Sequence, residues 1–275
     1  MLLSVKNLCV RFNAASGTPV EAVKGVNFSV DTGKVLAVVG ESGSGKSVTA
    51  LALTRLLPPT PKCTISGNIN FDNNGNLLRF PEQQMHKIRG GGIAYIFQNA
   101  STALNPALTI GFQIAESIRL HVSTQQVKTK AFEWIEKVGL DPEKHYNAYP
   151  FQLSGGMQQR AMIAMALACS PKILVADEPT TALDVTLQNQ IINLLKKLQR
   201  LEHIAIIFIT HNFSLIKNFA DHTLVMHNGK MVEYGNTQQI LESPRHPYTR
   251  ALIQCIPSLE HADQRLKTMD VDQIM

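Results

Sequence analysis

A glycine-rich octapeptide, GESGSGKS, occupies residues 40–47 and matches the pattern G-x-x-x-x-G-K-[ST] at every fixed position. It follows the apolar run VLAVV and precedes an apolar helical pattern, so its context is strand, loop and helix. Glycines let backbone N–H groups turn inward as a nest for anions, and a helix N-terminus adds the positive end of its dipole. The alternative, a Gly/Ser-rich turn with a stray lysine, does not explain this context. We therefore predict a nucleotide phosphate-binding loop.

Within this loop, Lys46 is predicted to reach the β- and γ-phosphates, and the Ser47 hydroxyl is predicted to bind Mg²⁺. The predicted nucleotide-binding residues here are Gly40, Glu41, Ser42, Gly43, Ser44, Gly45, Lys46, Ser47 and Val48.

Two acids end the apolar run ILVADE, residues 173–178. At the end of a buried strand, Asp177 can bind Mg²⁺ through a water molecule. Glu178 would then lie beside the γ-phosphate and orient or deprotonate the attacking water. The alternative is a strand that ends in solvated acids, which is common, so the motif gains its weight from the phosphate-binding loop.

A second glycine-rich segment, LSGGM at residues 153–157, precedes a long apolar helix. Ser154 is predicted to be the N-cap, with Gly155 and Gly156 leaving N–H groups open for a second phosphate contact. One nucleotide has one γ-phosphate, which the first loop already holds. The second anion site therefore favours a head-to-tail dimer, and an ordinary capped helix is the alternative.

The elements that must position these motifs follow from the hydrophobic pattern. Residues 1–34 and 64–98 predict strands and turns, whereas residues 99–160 are helix-like and favour a separate helical lobe. In that lobe, Ser123 and Gln126 form a predicted capping box. The pattern KSVTALALTRLL predicts one helix that ends before Pro58.

Strands and helices alternate again after the helical lobe. The runs KILVA and IAIIFI predict buried strands on either side of an amphipathic helix at residues 185–201. A hairpin is predicted over residues 223–235, turning at Asn228 and Gly229. This alternation predicts an α/β fold with a mainly parallel sheet.

Composition narrows the function classes. The 275 residues carry a net charge of +5 with scattered basic residues, which suits a phosphate-bearing ligand or an anionic membrane surface and gives little support for nucleic acid. The four cysteines are far apart, which argues against a zinc ribbon, an iron–sulfur cluster and a disulfide framework. No apolar window reaches the length of a spanning helix, so other chains must cross the membrane if the protein works there.

In their order and spacing along the chain, GESGSGKS, LSGGM and ILVADE resemble the motifs of the ABC ATPase family, and the resemblance covers nearly all of the chain. The resemblance implies a P-loop NTPase (RecA-like) core with an antiparallel β subdomain and an inserted α-helical subdomain. It also implies ATP and Mg²⁺ as ligands. Met157 and Asn212 depart from the usual residues at their positions, but neither change removes a phosphate ligand.

Further roles come from the same resemblance. Gln98 is similar to the Q-loop glutamine that contacts Mg²⁺, and His211 in FITHN to the switch histidine that contacts the γ-phosphate. Asp184, which ends the D-loop-like TALD, would reach across the dimer. Phe12 would stack on adenine. Their alternatives are polar strand-end residues that face solvent and, for Phe12, a core aromatic.

Two stretches resemble the oligopeptide, dipeptide and nickel importer branch of the family: residues 96–116 and SPRHPYTRALIQCIP at residues 243–257. A Pro-rich linker is the alternative for the second stretch. Many members of this branch carry a cysteine cluster near the second stretch, but this chain has only Cys255 there, so no iron–sulfur site is predicted. The predicted domains are an ATPase domain at 1–240, with its helical subdomain at about 99–162, and a tail at 241–275.

The branch implies an ATP-hydrolysing subunit that powers uptake of peptides or a related small solute such as nickel. It implies two integral-membrane permease subunits, a second ABC ATPase in a heterodimer or homodimer, and an extracytoplasmic solute-binding protein, with no nucleic acid. The expected location is the cytoplasmic face of the bacterial inner membrane. The alternatives are an ABC ATPase acting on DNA or ribosomes, a P-loop kinase and an exporter.

Overall fold

A computed structural model describes residues 1–13, 17–181 and 183–254. The described chain forms two compact units, one from residues 1–78 together with residues from 208 onward, and one from residues 79–207. The strands are β1 (Leu3–Phe12), β2 (Val20–Val30), β3 (Val35–Val39), β4 (Cys63–Phe71), β5 (Ile93–Ile96), β6 (Ile173–Asp177), β7 (Ala205–Thr210), β8 (His222–His227) and β9 (Lys230–Asn236). The α-helices are α1 (Lys46–Ala52), α2 (Glu82–Ile88), α3 (Ala100–Ala103), α4 (Ile110–His121), α5 (Val127–Lys137), α6 (Pro142–His145), α7 (Gly155–Leu167), α8 (Val185–Glu202), α9 (Thr237–Glu242) and α10 (Pro247–Gln254).

The first unit contains the predicted antiparallel sheet, with the strand order β2-β1-β4. Leu3 of the central strand pairs with Val30 on one side and with Phe71 on the other. Apolar residues on one face of the strands are buried, as an alternating pattern requires when only one face packs on a core. These strands confirm the predicted antiparallel β subdomain.

The same unit contains β3, β8 and β9, which lie side by side in that order. All five residues of β3 are buried, and β3 pairs in parallel with β8. β8 and β9 form the predicted hairpin, in which Asn228 and Gly229 have φ values of 48° and 77°. Positive φ at both central residues is what a two-residue hairpin turn needs.

In the second unit, β5 pairs in parallel with β6, with Ile93 opposite Ile173 and Ile96 opposite Ala176. β7, whose six residues are all buried, begins in this unit and follows β6 in the strand order. The amphipathic helix α8 precedes it as predicted. These elements confirm the predicted α/β fold.

The helical segment of the second unit packs α4, α5 and α7 against one another. Its core includes Ile114 of α4, Ile135 of α5 and Ile163 of α7. The predicted capping box is wrong, because α5 begins at Val127 after Gln126, whose side chain makes no cap bond. Instead the hydroxyl of Thr124 accepts the Gln126 N–H at 3.1 Å, so a local turn precedes the helix.

Two further helices differ from the sequence expectation. α1 ends at Ala52, and Arg55 has a φ of 54°, which a right-handed helix cannot contain. The second branch-like stretch, SPRHPYTRALIQCIP, had a Pro-rich linker as its alternative interpretation. It contains the helix α10, in which Tyr248 and Thr249 are buried. Its first residue is Pro247, and proline at the first helical position favours helix formation.

The described residues include no helix with the length and apolarity that a membrane crossing requires.

Asp221 anchors the start of β3, the strand that leads into the predicted phosphate-binding loop. Its carboxylate accepts the Val35 N–H at 2.8 Å and the Lys34 ammonium at 2.9 Å. Asp221→Ala removes the acceptor of a buried N–H and should lower the free energy of unfolding by about 1–3 kcal/mol. Urea denaturation measures this.

Asp31→Ala is the matched control, because Asp31 pairs with the N-terminal ammonium group where both side chains are largely exposed. It should change the free energy of unfolding by less than about 1 kcal/mol. Equal losses in the two variants would contradict a special role for Asp221.

Candidate functional site

The predicted phosphate-binding loop lies between β3 and α1, in the strand, loop and helix context that the sequence requires. Gly45 has a φ of 99°, and a Cβ there would lie 2.5 Å from the Ala22 carbonyl oxygen. A Cβ on Gly40, where φ is 153°, would lie 2.2 Å from the Met226 carbonyl oxygen. Backbone oxygens cannot give way as a flexible side chain can, so the loop path excludes any side chain at either position.

Lys46 is only 5% exposed, and its ammonium group donates to the carbonyl oxygens of Gly40 at 2.8 Å and Glu41 at 2.7 Å. The loop therefore curls around the cation. Among the described residues, the buried Ser44 hydroxyl has no hydrogen-bond partner, which leaves a polar atom available inside the same loop. A polyanion such as a triphosphate suits both features, because a desolvated ammonium group attracts negative charge strongly.

Glu178 follows β6 and takes a left-handed conformation with a φ of 45°. Its Oε2 accepts hydrogen bonds from the Gln98 amide at 3.2 Å and from the Thr181 hydroxyl at 2.8 Å. The parallel register explains the first bond, because Ile96 lies opposite Ala176 and each functional residue follows two positions later. The structure thus brings together two predicted catalytic residues and adds Thr181, the first residue of the D-loop-like TALD, whose bond to Glu178 the sequence did not predict.

Ser154 occupies the predicted N-cap position of α7, but its side chain makes no cap hydrogen bond in the described structure. A Cβ on Gly155 would meet nothing within 4 Å, whereas one on Gly156 would contact Leu187 at 3.3 Å. The helix start is therefore open at Gly155. The Gln158 amide stabilises the preceding loop by donating to the carbonyl oxygens of Pro150 and Leu153. The sequence reasoning missed this role.

Asp184 is the N-cap of α8, and its Oδ1 accepts the Leu187 N–H at 2.9 Å. The Gln188 amide steadies the same loop by donating to the Thr180 and Leu183 carbonyl oxygens. Asp184 thus has a structural role within its own chain. Its contact with a second subunit stays a prediction. Ala182 of the D-loop-like segment lies outside the described residues, as does Cys255.

His211 is exposed and follows directly after β7. Asn212, which stands where an aspartate is usual, uses its Oδ1 to accept the Ser214 N–H at 2.9 Å, so it caps a short 3₁₀ turn.

Phe12 is half-buried at the end of β1, opposite Val20 and Cys63. This placement fits a sheet aromatic as well as an adenine platform, and the adenine role stays a prediction.

The sequence reasoning also missed Tyr248 of α10, whose hydroxyl accepts the Glu41 N–H at 3.2 Å. Glu41 belongs to the predicted phosphate-binding loop, 207 positions earlier in the chain. Burial raises the pKa of Tyr248 to about 12, so this hydroxyl is protonated at neutral pH. The only sequence signal was the HPYTRAL block itself, which gave no indication of what it contacts.

Known proteins resemble this chain along nearly its whole length. The family described as "ABC transporter" matches residues 23–181, and the family described as "Oligopeptide/dipeptide transporter, C-terminal region" matches residues 232–273. The oligopeptide transport ATP-binding protein OppD of Bacillus subtilis is 47% identical over 266 residues, which are 96% of this chain and 74% of OppD. The dipeptide transport ATP-binding protein DppD of Escherichia coli is 44% identical over 271 residues, covering 98% of this chain and 82% of DppD.

A solved structure agrees with these relatives. A dimer of the ATP-binding cassette MJ0796 bound to ADP and Pi aligns with a TM-score of 0.74 and 29% identity, covering 86% of this chain and 99% of that one. The chain therefore belongs to the family of ABC transporter ATP-binding subunits. It binds nucleotide and hydrolyses ATP as the ATPase subunit of an importer, which confirms the predicted family, fold and enzyme class.

Substitutions at Gly45 and Gly43 test whether the close approach of the loop backbone to Ala22 requires glycine. Both have positive φ, but a Cβ on Gly43 would meet nothing within 4 Å, whereas one on Gly45 would meet the Ala22 carbonyl. Gly45→Ala should lower the free energy of unfolding by about 1–3 kcal/mol more than Gly43→Ala does. Chemical denaturation measures both, and indistinguishable losses would show that the close approach carries no cost.

Proposed function

We propose that this chain hydrolyses Mg²⁺-bound ATP with Glu178 as the general base, and that this drives uptake of peptides. The observation that carries the residue assignment is the Glu178 carboxylate, fixed by Gln98 and Thr181 directly after the Asp177 that ends β6. Donors to a carboxylate stabilise its charged form and fix its orientation. A positioned, ionised carboxylate is what abstraction of a proton from water requires.

The remaining nucleotide contacts are assigned by chemistry and by position in the family motifs. Lys46 and the N–H groups of its loop would bind the β- and γ-phosphates, since the loop already encloses the ammonium group. His211 would contact the γ-phosphate, and Phe12 would stack on adenine.

By their positions in the family motifs, Ser47, Asp177 and Gln98 would offer oxygen donors to Mg²⁺, a hard cation that prefers oxygen ligands. The described residues contain no cluster of three or more His, Cys, Asp or Glu side chains that could hold a metal. The three proposed ligands include one carboxylate, that of Asp177. This suits Mg²⁺, which keeps several water ligands and takes others from phosphate. When bound, the ion would neutralise charge on the phosphates.

Ser154, Gly155 and Gly156 would serve the nucleotide of a second ATPase subunit, and Asp184 would contact that subunit. Support comes from the open helix start at Gly155 and from the dimeric form of the related cassette MJ0796. The partner cassette is either a similar, distinct chain or a second copy.

The wider assembly would contain two integral-membrane permease subunits and, through them, an extracytoplasmic solute-binding protein. The location would be the cytoplasmic face of the bacterial inner membrane. Residues 1–240 would be the ATPase domain, with a helical subdomain at about 99–162 that meets the permease, and residues 241–275 a branch-specific tail. Peptides are favoured over nickel because both curated relatives are named for peptide transport.

Glu178→Gln tests the general base. The variant keeps the shape of the side chain but cannot accept a proton, so turnover should fall by a factor on the order of 10²–10⁴. ATP binding should remain, as measured by equilibrium titration beside a phosphate-release assay.

Glu202→Gln is its control, since Glu202 pairs with Lys137 at 2.7 Å and belongs to no predicted site. This variant should hydrolyse ATP at the wild-type rate. Wild-type turnover by Glu178→Gln would refute the assignment of the base.

Uptake tests the proposed solute. A source strain that lacks this chain should lose uptake of a labelled dipeptide, and the wild-type gene should restore it while Glu178→Gln should not. Labelled nickel, measured in parallel, should enter all strains equally. Loss of nickel uptake with intact dipeptide uptake would contradict the peptide assignment.

A further inference from the structure

Tyr248 connects the helix α10 to the phosphate-binding loop. The residue is 1% exposed, and its hydroxyl oxygen accepts the Glu41 N–H at 3.2 Å. The carbonyl oxygen of the same residue, Glu41, accepts the Lys46 ammonium at 2.7 Å. Glu41 is therefore held at both of its backbone polar groups, by the tyrosine on one side and by the phosphate-binding lysine on the other.

The position of Tyr248 is itself fixed by the hairpin of β8 and β9. Glu233 of β9 accepts the N–H groups of Arg245 at 2.9 Å and His246 at 3.1 Å, which anchors the chain just before α10. The His246 ring then accepts the Tyr248 N–H at 3.2 Å, and the His227 ring of β8 lies 4.0 Å from the tyrosine ring, centroid to centroid. These contacts leave the buried tyrosine little freedom.

We propose that Tyr248 is a positioning residue for ATP binding, which fixes Glu41 so that Lys46 is already oriented for the triphosphate. The inference rests on the proposed role of Lys46. A bond that is present before the ligand arrives reduces the ordering that binding requires. In this role Tyr248 acts on the nucleotide site through its bond to Glu41. It should therefore affect the binding of ATP more than the chemical step.

Tyr248→Phe removes only the hydroxyl and leaves the ring. It should raise KM for ATP roughly 3- to 10-fold, about the value of one neutral hydrogen bond, with kcat changed by less than about twofold. A direct titration of ATP should show a matching loss of affinity. A general structural role would instead lower the melting temperature and leave KM unchanged.

Tyr234→Phe is the matched control, because the Tyr234 hydroxyl bonds the Ser29 carbonyl oxygen at 3.3 Å, away from the loop. It should leave KM for ATP at the wild-type value. An equal rise in KM for both tyrosine variants would overturn the proposal, as would an unchanged KM in Tyr248→Phe.

Tyr248→Ala, compared with Tyr248→Phe, distinguishes the effect of the ring on KM from the effect of the hydroxyl. If the alanine variant alone raises KM, ring packing is responsible and the proposal is wrong. Lys46→Ala, titrated with ATP in the same series, tests the proposed role of Lys46 independently. Unchanged ATP affinity in that variant would overturn that role, whereas a normal KM in Tyr248→Phe would overturn only the positioning by Tyr248.

Discussion

A buried cation inside a tightly curled loop is the interaction on which the proposed nucleotide site of this protein depends. The Lys46 ammonium is almost fully removed from solvent and donates to the carbonyl oxygens of Gly40 and Glu41. Removing a charge from water is costly, and carbonyl dipoles recover part of that cost. In the proposed site a triphosphate would recover more, because its charge would meet the ammonium group where water does not screen it.

The elements around the loop hold its backbone in this curled conformation. β3 is buried along its length, and the Asp221 carboxylate holds its first N–H. Gly45 lets the chain pass close to the Ala22 carbonyl, and Tyr248 holds Glu41 from the opposite end of the sequence. Each contact restricts the loop in the absence of nucleotide, so the proposed phosphate site would be largely formed in advance.

The sequence predicted what depends on local pattern. The loop, the acids Asp177 and Glu178 at the end of β6 and the start of α7 each carry their signal within a few residues, and parallel register explains why Gln98 reaches Glu178. What it could not predict depends on distant contacts or on competing local bonds. Tyr248 meets Glu41 across 207 positions, and the Thr124 hydroxyl, rather than Ser123, orders the turn before α5.

Calorimetric titration of ATP and of adenosine into the wild-type chain and Lys46→Ala tests the central claim most directly. If the buried ammonium group anchors the triphosphate, the substitution should weaken ATP binding at least about tenfold, as expected for a lost charge-assisted contact. Adenosine binding should be weak and equal in both proteins, because adenosine carries no phosphate for Lys46 to contact. ATP that binds Lys46→Ala as tightly as the wild type would contradict the account.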